Sequence, residues 1–171
     1  GIVVEDVSHS ATAGSQFVWI PVGEVVKDSA GNKETITLGR YVFNKDGKID
    51  TALSKTEPGD QLKLSSGASY YFTEGLKDSS TKNTHAKDIE DFKNKVTNTT
   101  HGYYIGRYEA RKNGTQVTVK ASDTVYNNIT QPDAATVSRG MYSSDSNFES
   151  DLMNSYAWDT AIVFLQKFDN R

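Results

Sequence analysis

GYYIGRYEARKNG, from Gly102 to Gly114, is the stretch on which the fold reading turns. Two adjacent tyrosines, an isoleucine and a third tyrosine are followed by charge and then by Asn113-Gly114. Side chains alternate across a strand, so Tyr104, Gly106 and Tyr108 share one face and Tyr103, Ile105 and Arg107 the other. Bulk on both faces predicts a central strand whose rings belong to the core. The competing reading is a surface of exposed rings with polar handles. Asn-Gly between two extended runs is a strong hairpin signal and predicts a turn back into Gln116-Val117-Thr118-Val119.

Working outward, the residues before this segment read as β. Phe17-Val18-Trp19-Ile20, stopped by Pro21, predicts a buried strand. Gly23–Val26 leads into a turn cluster, Asp28-Ser29-Ala30-Gly31-Asn32, and Thr35–Phe43 predicts a second strand rich in β-formers. Glu57-Pro58-Gly59-Asp60 predicts a turn, Ser69-Tyr70-Tyr71-Phe72 a short strand and residues 77–87 a polar loop. The period then changes. Ile89, Phe92 and Val96 fall at i, i+3 and i+7, which predicts an amphipathic helix of about three turns. Beyond Tyr126, Thr130 can cap and Pro132 fits a first helical turn, so a short helix is expected, ending near Gly140. A last helix is expected from about Ser155, with Trp158, Ala161, Ile162 and Leu165 as its inward stripe. Strands first and helices late predict an α+β fold with short antiparallel strands and about three helices.

At 171 residues the chain has the length of a single domain, 1–171, able to enclose a core. A net charge of -3 argues against a nucleic-acid partner, which calls for a basic face. The absence of cysteine excludes disulfides, cysteine-ligated metals and thiol nucleophiles. Apolar runs such as Phe17–Val22 and Ala161–Leu165 are too short to span a bilayer, so no membrane insertion of this segment is expected. The chain opens Gly1-Ile2-Val3-Val4 and ends on Arg171 straight after a predicted helix. It therefore reads as a piece of a longer protein, either a whole domain or the N-terminal part of a longer one.

Candidate chemistry is thin. NKDGKID, Asn44–Asp50, suggests a calcium loop, but aligning its glycine puts Val42 and Leu53 where carboxylates are required, leaving a hairpin turn. His9, His85 and His101 stand far apart, with no partner at i+2 or i+4, and read as surface histidines rather than metal ligands. No nucleophile elbow or glycine-rich phosphate loop is present. The acidic groups Glu149, Asp151, Asp159 and Asp88, Glu90, Asp91 read as helix N-terminal charges complementing the dipole. Asn98-Thr99-Thr100, Asn113-Gly114-Thr115 and Asn128-Ile129-Thr130 are sequons, relevant only in a glycosylating pathway. No catalytic, cofactor-binding or metal residue is assigned, and no cofactor is expected.

Three stretches taken in order resemble a known family. Gly102–Glu109 resembles the first strand of formylglycine-generating, sulfatase-modifying-factor domains, and Tyr156–Leu165 resembles a helix of the same domains. Phe17–Val22 resembles a strand of their bacterial members, often surface-displayed or prophage-borne, as does the run from Asn127 to Ala134 before Arg139-Gly140-Met141-Tyr142. The resemblance implies a C-type-lectin-like fold. It does not carry over the chemistry, because the family's copper-binding cysteine pair lies in a later half with no counterpart before Arg171. Leu165 also stands where the family's helix ends in cysteine. The resemblance thus implies a non-catalytic binding or display module, extracellular or on a bacterial surface or phage particle. A glycan or protein ligand would engage the loops Lys77–Lys87, Asp28–Lys33 and Asn44–Asp50. The alternatives are an enzyme whose catalytic half lies beyond residue 171, and a structural pilin or tail component.

Overall fold

The computed structural model describes residues 2–50, 61–63, 69–71 and 89–168. The predicted turn at Glu57–Asp60, the loop at 77–87, and Phe72, His85 and Asp88 lie outside the described residues. The fold is mixed, with small antiparallel sheets and three α-helices. Among the described residues no helix is long and apolar enough to cross a membrane. Contacts divide the described residues into two compact units, one of residues 2–19 and 104–153, the other of 20–50, 61–63, 69–71, 89–103 and 154–168.

In the first unit, β1 (Val3–Glu5) pairs antiparallel with the leading residues of β2 (Gln16–Pro21), Val4 facing Phe17. The expected strand at 17–20 is thus present. The tyrosine-rich segment forms β7 (Gly102–Gly106), but the sheet order is β1-β2-β7, so β7 is an edge strand and β2 the central one. This corrects the expectation of a central β7. Tyr104 is 51% exposed, its ring 4.9 Å from that of Trp19, so it is not a core residue either. Bulk on both faces came from one half-covered face and one open face, a pattern a buried strand shares.

The hairpin expected at Asn113-Gly114 forms between β8 (Arg111–Asn113) and β9 (Gln116–Thr118), displaced by one residue. Asn113 pairs with Gln116, so the two loop residues are Gly114 and Thr115. Only Gly114 of these has a positive φ, +61°, the geometry of a II′ turn with glycine first. β10 (Thr124–Val125) adds to β8, completing the sheet β10-β8-β9. α2 (Gln131–Gly140) begins as expected, with the Thr130 side chain accepting from the Asp133 N–H and Pro132 in the first turn. Val117, Val119 and Ala135 are buried here.

In the second unit, β3 (Gly23–Val26) and β4 (Lys33–Ile36) form a hairpin around the Asp28 turn. β4 ends at Ile36, short of the expected Phe43, and farther on Phe43 and Ile49 form an isolated bridge. β5 (Gln61–Lys63) pairs with β6 (Ser69–Tyr71), and α1 (Ile89–Lys95) runs into a wider π turn, Val96–Thr100. His101 ends it with φ +53°.

α3 (Ser155–Phe168) starts where expected; of the expected stripe Ala161 is buried and Ile162 half-buried, but the covered face extends away from its other two members. Tyr156, Ala157, Asp159, Thr160, Ala161, Val163 and Phe164 are buried, whereas Trp158 and Leu165 are 57% and 59% exposed. The buried polar pair explains the rotation. Thr160 Oγ1 accepts the Gly39 N–H at 3.1 Å, and Asp159 Oδ2 accepts from Arg40 Nε and the Tyr41 N–H, each at 2.9 Å. The Gly39 and Tyr41 N–H groups thereby gain acceptors, which backbone groups shielded from water require. Tyr103, half-buried, donates its hydroxyl to Ala157 O at 2.6 Å, and burial pushes its pKa up.

Candidate functional site

A polar cluster forms in the first unit, between the loop after β1 and the segment after α2. Asp6 organises its own loop. Its Oδ1 accepts the N–H groups of Ser8 and His9, both at 3.1 Å, a turn that short carboxylates make readily. Its Oδ2 accepts the Thr12 hydroxyl at 2.5 Å and the Tyr142 hydroxyl at 3.1 Å. Gly14, at φ +84°, donates its N–H to Asp6 O, closing the loop onto buried Ser15, whose Oγ accepts the Val119 N–H at 3.1 Å.

His9 is the link to the distant segment. Its Nδ1 lies 3.1 Å from Asp6 Oδ1 and its Nε2 3.2 Å from Asp145 Oδ2. Asp145 in turn accepts the N–H and side-chain amide of Asn147 on Oδ1, each at 2.9 Å. The His9 ring meets Tyr142 edge-on at 5.1 Å and Phe148 at 5.7 Å, while Tyr142 also approaches Phe148 and Phe17. Such tilted pairs add to plain burial. Beside them is a shallow cleft lined by Arg139, Tyr142, Ser143, Phe148, Glu149 and Ser150. Phe148 stands at its wall, 54% exposed.

The electrostatics reflect these bonds. Burial pushes Asp6 up, but hydrogen bonds from Thr12, His9 and Ser8 outweigh it and hold the carboxyl well below its ordinary range. Hydrogen bonds to Asp6 and then Asp145 raise His9 above its usual value. The Asn147 N–H, followed by His9, lowers Asp145. Burial pushes the Tyr142 phenol up to about 12, so it is a neutral donor. Both ring nitrogens thus face carboxylate oxygens, and Nδ1 also lies 3.1 Å from the Ser8 hydroxyl. Among the described residues no group of three or more histidine and acidic side chains is spaced to hold a metal ion.

His9 is therefore not the solitary surface histidine that the sequence suggests. Its Asp6 partner, three residues upstream, is a local signal that could have been read; Asp145, 136 residues away, is not. His101 sits exposed at the end of the π turn. Two of the acidic residues also differ from expectation. Asp159 lies past the first turn of α3 in the buried bonds described above, Asp151 pairs with Arg139 at 2.9 Å, and Asp91 pairs with Lys95. Asp159 and Asp151 thus stand outside a helix's first turn, whereas Asp91, the third residue of α1, stands in one as expected.

Two of the expected contact loops are well-built turns in the second unit. Asp28 accepts the N–H groups of Ala30 and Asn32, and Asn44 Oδ1 accepts those of Asp46 and Lys48, both at 3.0 Å. Asn44–Asp50 is the predicted hairpin turn, with Gly47 at φ +74°. Compared with protein-family models, with curated proteins and with solved structures, the chain has no match in any of the three.

Proposed function

We propose that the chain is a non-catalytic binding or display module of a bacterial surface or phage-associated protein, carrying recognition loops on a C-type-lectin-like scaffold. The observation that carries this reading is the way the 141–150 segment is held. Asp145 and Tyr142 fasten it to the 6–15 loop, leaving the Phe148 ring exposed beside Arg139 and Glu149. An ordered loop presenting an aromatic ring costs little entropy on binding, which is how recognition surfaces gain affinity. An exposed ring face suits a glycan, whose rings stack on aromatic side chains, or a protein surface of similar chemistry. The non-catalytic part of the proposal rests on the absence of the family's cysteine pair from the sequence. The bacterial surface or phage setting and the lectin-like scaffold rest on the sequence resemblance. The order of short antiparallel strands before two late helices is compatible with that scaffold. A glycan array and a panel of bacterial surface proteins, both probed with the labelled chain, test the proposal. Saturable retention on either supports it, and silence on both overturns it.

A further inference from the structure

We infer that His9 is a proton-operated clasp. Protonated, it bridges Asp6 and Asp145; neutral, it releases Asp145 and loosens the segment that carries Phe148. A neutral imidazole has one N–H and one lone pair, whereas an ionised carboxylate only accepts. His9 faces a carboxylate oxygen at each nitrogen, at 3.1 and 3.2 Å, so only the doubly protonated ring donates to both. Loss of a proton leaves a lone pair aimed at an anionic oxygen.

The two sides are not equally able to let go. Asp6 is held by the Ser8 and His9 N–H groups and by the Thr12 and Tyr142 hydroxyls, besides the ring. Asp145 Oδ1 is held within its own turn by Asn147, and Oδ2 faces His9. The neutral ring therefore keeps its proton on Nδ1 toward Asp6 and turns the Nε2 lone pair on Asp145, which is the side that opens. The groups facing the ring are Asp6 and the Ser8 hydroxyl from its own loop, and Asp145, Tyr142 and Phe148 from the 141–150 segment. Tyr142, pushed up to about 12, stays neutral through the switching range.

His9 is raised above its usual value, so the bridge is complete below the unfolded value of about 6.5 and is lost as pH rises through the higher folded value. Asp145 is lowered, so its share is present above the ordinary carboxylate value and is lost as pH falls from there through the lower folded one. The clasp is closed in mild acid and opens toward alkaline pH. It governs the loop of the proposed recognition site, and its order can be read without any ligand, so the two proposals fail separately.

The test pairs an NMR titration of the His9 ring with amide hydrogen exchange over residues 141–150 at pH 5.5 and 8.5, corrected for intrinsic rates, using about a hundred micromolar ligand-free chain. His9 is expected to titrate above its usual value, and Asp145→Asn to lower that midpoint. The protection lost between the two pH values should match that lowering, about tenfold for each pH unit. His9→Gln, which cannot charge, should abolish the pH dependence. An ordinary His9 midpoint, or the same loss of protection in either variant, overturns the clasp. If His9→Gln fails to fold, the Asp145→Asn titration decides alone.

Discussion

Replacing Asp159 by alanine removes a carboxylate that receives Arg40 Nε and the Tyr41 N–H, each at 2.9 Å. The side chains of the pair are 18% and 11% exposed, so this is not a solvated surface pair of the kind worth about 0–1 kcal/mol. Breaking a mostly buried pair from one side costs about 3–5 kcal/mol, because a largely desolvated charge loses its hydrogen-bonded counter-ion. For a chain of this length that corresponds to a fall in Tm of roughly 6–20 °C. Replacing both partners with methionine removes the charge as well, and the Tyr41 N–H left without its acceptor accounts for about 1–3 kcal/mol. Thermal and urea unfolding of wild type, Asp159→Ala, Arg40→Met and Arg40→Met/Asp159→Met should therefore show a double variant less damaged than the sum of its parts. A loss within about 1 kcal/mol for Asp159→Ala, or strict additivity in the cycle, would refute the buried role assigned to α3's polar face.

Gly106→Ala is expected to destabilise by about 1–3 kcal/mol, since an added Cβ would lie 2.6 Å from Val119 Cγ1 and 3.1 Å from Tyr108 O; urea unfolding reads the loss, and no change would mean that Val119 yields freely. Tyr103→Phe should cost about 0.5–1.5 kcal/mol by removing the 2.6 Å bond to Ala157 O, with unchanged far-UV dichroism. Between mild acid and pH 9 the wild-type Tm should fall as His9 deprotonates, and His9→Gln should flatten that slope; an equal slope in both would assign the titration elsewhere.

What could be read from sequence was local. The Thr130 cap, Pro132, the Asp28 turn and the 44–50 turn depend on neighbours within a few residues, and each took the expected form. Even the Asn113-Gly114 turn slipped by one residue, because Gly114 can occupy the first loop position as readily as the second. The face of α3 was misjudged because apolar periodicity counts Trp158 and Leu165 as inward. The actual orientation is compatible with Asp159 and Thr160 meeting backbone groups of residues 39–41, some 120 positions upstream, which no window of sequence contains. The candidate site was hidden for the same reason. Asp6 and His9 form a local pair, but their meaning depends on Asp145 and Tyr142 arriving from beyond α2.

The recognition claim is tested most directly by one set of binding isotherms. A partner retained in the array or panel is titrated against wild type, Phe148→Ala and Asp28→Ala. Truncating an aromatic anchor at the centre of a contact costs about 2 kcal/mol or more, so Phe148→Ala should weaken binding at least about tenfold, while Asp28→Ala should leave it within about twofold. Equal affinities for wild type and Phe148→Ala would contradict the assignment of the 141–150 segment as the recognition surface.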